Sequence, residues 1–151
     1  MHHTPEEEAA IAVSAAKAAA ERLRAAPPII RRTPRGYAVD VPLLYNGVAV
    51  DRMHLDPQSL EPLPKGMPEP PSPAPSPPEP LAAQSAAEKA ARELRALDAA
   101  EYRGPEAAWA VPLAWRSLVV AHIRIRVAGG QGEVVPDEPL TLEVQRLLGR
   151  L

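Results

Sequence analysis

The sequence predicts an α+β protein: two similar helix-plus-β-hairpin halves around antiparallel sheet, joined by a proline-rich segment and closed by a short C-terminal helix. Three observations carry this expectation. Two alanine-rich runs, residues 5–26 and 81–98, read as helices, and apolar alternation broken by turn residues follows each. Between them, 11 of the 24 residues from Pro57 to Pro80 are proline. The expected organisation is an αββ half over residues 1–55, a linker or arm over 56–80, and an αβββα half over 81–151, the halves packing as one domain.

The first helix has a clear start. Thr4, Pro5 and Glu7 stand in the order of a capping box, and Glu6, Glu7 and Glu8 complement the positive end of the helix dipole. Pro27 and Pro28 stop it, because proline lacks a donor and clashes with the preceding turn. Residues 36–45 and 48–55 alternate apolar and polar around Asn46-Gly47, the signature of a type I′ hairpin. A two-residue loop pairs Tyr45 with Val48, Leu43 with Val50 and Val41 with Arg52. Pro42 then requires an edge strand or a backbone site that donates no ladder bond. The proline tract is expected as a polyproline II spacer or an arm along the surface. The second helix turns Ala83, Ala87, Ala90, Leu94 and Leu97 inward. Gly104-Pro105 is a break, strands are expected at 108–115, 118–128 and 133–135, and a short helix at 140–148 ends the chain.

An internal repeat is legible. Shifted by 71 residues, positions 12–25 match 83–96 at 9 of 14 sites. Shifted by 70, Val41-Pro42-Leu43 matches Val111-Pro112-Leu113, with Tyr45 opposite Trp115 and Val50 opposite Val120. Alanine bias is the plainer account of the first match; the common order of elements argues for a duplication.

Composition limits the core. Of the residues counted as hydrophobic, 28 are Ala and 33 are Val, Ile or Leu, and Phe is absent. Short side chains bury little area, so each half alone is expected to be marginal, and the halves should pack on each other or on a second copy of the chain. With 17 basic and 19 acidic residues there is no global pull toward nucleic acid or anionic membrane. No run is apolar and long enough to span a bilayer. The lack of cysteine excludes disulfides and thiolate metal sites and fits a reducing compartment. With an N-terminus lacking a signal-like apolar stretch, the expectation is cytoplasmic. Abundant Pro and Arg with a single Asn lean toward a thermophile or a GC-rich genome.

Four constellations are candidates for chemistry or binding. His54, Asp56 and His122 supply imidazole and carboxylate, the ligand set of zinc or another divalent cation. Asp40 is expected near Asp51 as a carboxylate pair on the opposite face. Arg31, Arg32 and Arg35, with Arg124 and Arg126 alternating on a later strand, are candidates for tracking a phosphate backbone, though no aromatic stacking platform accompanies them. Trp109 and Trp115 are core residues or interface anchors. Pro68, Pro70 and Pro71 follow Lys65 in a loose basic-PxxP pattern that aromatic grooves accept. No phosphate loop, dinucleotide fingerprint, HExxH or nucleophile elbow is present, so no cofactor is predicted. The expected function is a non-catalytic protein–protein interaction or assembly subunit, with self-association as one form. A small metal-dependent enzyme and a nucleic-acid binder are the alternatives.

Overall fold

A computed structural model describes residues 3–67 and 74–149. The chain is α+β, with three α-helices and two antiparallel sheets among the described residues. Helix α1 (Pro5–Ala20) starts where expected: the Thr4 hydroxyl accepts from the Glu7 amide at 3.1 Å, and Pro5 opens the first turn. The helix stops six residues short of the expected end. Arg24 and Ala25 leave the helix as a two-residue strand, β1 (Arg24–Ala25), because the strand beside them needs a partner. The next run, Ile29–Thr33, is β2, a strand not predicted from the sequence, carried by Ile29, Ile30 and Thr33 around Arg31 and Arg32.

The strands β3 (Gly36–Tyr45) and β4 (Val48–Leu55) form the expected hairpin, with Asn46 at φ 49° and Gly47 at φ 83°. Tyr45 does pair with Val48. Beyond that the register slips: a bulge between Leu43 and Leu44 leaves Val50 without an opposite residue. Leu43 therefore faces Asp51 rather than Val50, and Val41 faces Met53 rather than Arg52. The slip turns Met53 and Leu55 into the core with Val41 and Val39. It also places Asp40 opposite His54, so the expected Asp40–Asp51 pair does not form.

Helix α2 (Pro80–Glu93) is capped by the Glu79 carboxylate, which accepts from the Leu81 and Ala82 amides. It too is shorter than expected, yielding β5 (Arg95–Ala96). Next come β6 (Glu101–Arg103), a 3₁₀ turn at Gly104–Glu106, β7 (Ala108–Trp115), β8 (Leu118–Ala128), β9 (Gln131–Val134) and α3 (Glu138–Gly149). In one sheet β3 carries β1 and β2 on one side and β4 on the other. In the second, β7 carries β5 and β6 on one side and β8 on the other, and β9 extends the sheet beyond β8. Matching details recur. Arg24–Ala25 pairs with Leu44–Leu43, and Arg95–Ala96 with Ala114–Leu113. The second hairpin has its own bulge between Leu113 and Ala114. Pro42 and Pro112 accept from Ala26 and Leu97 at 2.9 and 3.0 Å. Each proline thus sits in a central strand, at the gap between two short edge strands, where a missing donor leaves no acceptor unserved.

The helices cover the sheets in a crossed arrangement. Helix α1 packs on β5, β7, β8 and β9, while α2 packs on β1, β3 and β4. A single core runs through both sheets and both helices, including Ala12, Ala16, Ala83, Ala87, Val41, Leu43, Val111, Leu113 and Ile123. Both Trp109 and Trp115 belong to it, 9% and 6% exposed, so their place is the core rather than an open surface. Their indole nitrogens donate to Glu8 of α1 and Glu93 of α2. Helix α3 forms a smaller cluster, placing Leu140 and Val144 on Ala26, Ile29 and Ala49. Among the described residues, no helix is long and apolar enough to cross a membrane.

Helix α1 lies close on its sheet at Gly132 of β9. A Cβ there would lie 2.8 Å from the Ala15 Cβ and 2.9 Å from the Ile125 Cγ2. Gly132→Val should therefore lift α1 and destabilise the fold by about 1–3 kcal/mol, read as a lower denaturant midpoint. A midpoint equal to that of the parent chain would contradict this packing.

Candidate functional site

The two sheets meet where β4 runs beside β8, and unlike charges organise the seam. The edge of a strand exposes unpaired amides and carbonyls, and here segments from elsewhere serve them. Lys65 donates its amide to the Val119 carbonyl at 2.8 Å, and Leu63 donates to the His54 carbonyl at 2.8 Å. The Asp137 amide reaches the Ala49 carbonyl, while the Ala49 amide donates to the Thr141 hydroxyl. Residues after β4 thus lie along the molecule as an arm as far as Lys65.

Asp51 joins the two strands directly. One carboxylate oxygen accepts from the Lys65 ammonium and the Arg52 amide, both at 2.8 Å; the other accepts from the His122 amide at 2.7 Å. Lys65 also donates to the Arg52 carbonyl at 2.9 Å. The bulge at Val50 is what brings the Asp51 side chain to this position.

Around this bridge opens a cleft of about 670 Å³. Asp51 of β4, Lys65 of the arm, and His122 and Arg124 of β8 line it, together with Arg103, Glu106 and residues 136–139 at the start of α3. Arg124 donates to the Pro136 carbonyl at 3.3 Å and faces Glu106 at 3.6 Å. The second Glu106 oxygen is buried without a hydrogen-bond partner. Burial holds the His122 imidazole below its ordinary pKa; Arg103 and Lys65 push the same way, and Asp51 and Glu101 only partly oppose them. At neutral pH the ring is therefore uncharged, able both to donate and to accept.

The sequence-derived sites fare unevenly. His54, Asp56 and His122 are each engaged differently. His54 Nδ1 meets Asp40 Oδ1 at 2.7 Å, Asp56 accepts from the Gln58 and Ser59 amides of its own turn, and His122 lines the cleft. Among the described residues, no group of three or more His, Cys, Asp or Glu is placed to hold a metal ion. The basic residues divide between the sheets. Arg31 is drawn to Asp40 at 2.8 Å, Arg32 and Arg35 are exposed near the β2–β3 turn, Arg124 is held in the cleft, and Arg126 is exposed opposite Glu133. Lys65, the basic end of the PxxP pattern, is tied into the seam, while Pro68, Pro70 and Pro71 lie outside the described residues.

Asp40 anchors a second polar network. It is 1% exposed and binds Arg31, Arg52 and His54, and Arg52 continues to Glu143 of α3 at 2.8 Å. Burial alone would raise its carboxyl pKa, but the His54 hydrogen bond and the charges of His54, Arg31 and Arg52 outweigh burial and hold it low. The sequence reading missed Arg103, Glu106 and Asp137. Only Asp137 left a local sign: Asp137-Glu138-Pro139 is a helix start, and its carboxylate accepts from the Leu140 amide.

A depressed His122 pKa carries a definite sign. The unfolded chain binds that proton more tightly, so the contribution to stability is complete above about pH 6.5 and falls as pH drops below it. NMR titration should place the His122 midpoint below 6.5, and Arg103→Gln should move it upward; a midpoint at or above 6.5 in the parent chain would contradict the burial described. No family's sequence profile, no curated protein and no solved structure matches the chain.

Proposed function

We propose that the chain is a non-catalytic protein-binding subunit, built from two fused copies of one helix-plus-four-strand unit, and that its partner engages the seam cleft. The carrying observation is the cleft itself: a solvent-accessible recess at the meeting of two sheets, with charges of both signs presented by β4, β8, the arm and α3. Complementary charge of this kind sets register and partner choice more than raw affinity. Met67, one residue beyond the lining Gly66, is 39% exposed and offers an adaptable apolar contact. The recurring edge pairing, bulge and central proline in the two sheets support the fused-pair reading.

The test is retention of a partner by the tagged full chain in lysate of the native organism, compared with an Arg103→Glu variant. A stoichiometric protein held by the parent chain and lost from the variant is the expected outcome. No retained protein, or equal retention by both chains, would contradict the cleft as a binding surface.

A further inference from the structure

The polar groups of the cleft divide into those satisfied within the chain and those left open. Lys65 is occupied by Asp51 and the Arg52 carbonyl. Asp51 accepts three hydrogen bonds, and Asp137 caps α3. Arg124 is shared between Glu106 and the Pro136 carbonyl. Three charged groups remain. Among the described residues, the Arg103 side chain, half-buried and lining the cleft, has neither an ion pair nor a hydrogen bond. One Glu106 oxygen is buried and unpartnered, which is costly for a carboxylate unless a donor arrives. Glu138 is an exposed lining carboxylate, likewise without a partner among the described residues.

A ligand complementary to this remainder carries a carboxylate for Arg103 and a cation for Glu106 and Glu138. A fully anionic ligand would leave the Glu106 oxygen orphaned and meet Glu138 as a like charge. A purely cationic one would leave Arg103 unpaired. His122, neutral at physiological pH, adds no net charge and can bond to peptide amides or carbonyls. Resting on the protein-binding reading above, we infer that the cleft recognises a peptide segment presenting an acidic and a basic side chain close together. The acidic group meets Arg103, where the planar fork of a guanidinium suits a carboxylate. The basic group meets Glu106 and Glu138.

The experiment is amide NMR of the full chain with an end-blocked lysyl-glutamate dipeptide at millimolar concentration, against lysyl-glutamine and alanyl-glutamate controls. The expected result is a set of shifts at Gly66, Arg103, Glu106 and His122, with binding about tenfold weaker for either control, the size of one charge-assisted hydrogen bond. Arg103→Gln should abolish the preference for glutamate over glutamine, and Glu106→Gln should reduce the preference for lysine over alanine. The spectrum of each variant reports its own folding. Absence of shifts, shifts elsewhere, or equal binding of all three peptides overturns the inference. If the lysate partner depends on Arg103 while none of these peptides binds, the protein-binding reading stands and the mixed-charge recognition falls. If the dipeptide binds as described but no lysate partner depends on Arg103, the reverse holds.

Discussion

The fold depends on the crossing of its two alanine-rich helices. Helix α1 belongs in sequence to the first sheet but covers the second, and α2 does the reverse. Alanine makes this possible. Ala12, Ala16 and Ala19 of α1, and Ala83, Ala87 and Ala90 of α2, are buried and short, so each helix lies close to its sheet. Gly132 marks the limit of that approach. Such side chains supply little apolar area apiece. The crossing lets one core draw on both sheets and on α1 and α2. Polar contacts then fix the exchange: Glu88 of α2 accepts from the Ala25 amide of β1, Lys17 of α1 pairs with Asp98, and Trp109 of β7 donates to Glu8 of α1.

Exchange of the helices leaves the sheets to meet edge to edge, and that is where the chemistry gathers. Open strand edges need partners, and β4 and β8 obtain them from the arm after β4, from the start of α3 and from the Asp51 carboxylate. Each of these devices brings charge. The structural solution for the edges and the mixed-charge cleft are therefore one arrangement, with the Val50 bulge as its local cause. The Asp40 network plays a comparable part beneath α3, linking β2, β3, β4 and that helix through one buried carboxylate.

Much of this was legible in the residues, and the rest was hidden for identifiable reasons. Thr4-Pro5, Asn46-Gly47 and the apolar alternation at 108–115 and 118–128 are local signals, and the corresponding elements formed where they pointed. The short strands β1 and β5 lie at the ends of alanine-rich runs, where helix propensity predicts continuation. They form because β3 and β7 have an edge to fill, which is a tertiary demand. The bulges shift every pairing beyond them by one residue and leave no sign in composition, so the Asp40–His54 contact could not be read from an uninterrupted hairpin. Asp51 lies far in sequence from Arg103 and Glu106, and only the meeting of the sheets places them in one cleft. The crossing of the helices is likewise invisible locally, since an alanine stripe fits either sheet.

That crossing is tested most directly by methyl NOE measurements on the full chain, with the alanine, isoleucine, leucine and valine methyls labelled. The account predicts contacts from the Ala15 methyl to the Ile125 methyl and to the Gly132 α-protons, and from the Ala83 and Ala87 methyls to side chains of the first sheet. Contacts from Ala15 to Val41 or Leu43, with none to Ile125, would show each helix lying on its own sheet and would contradict the account.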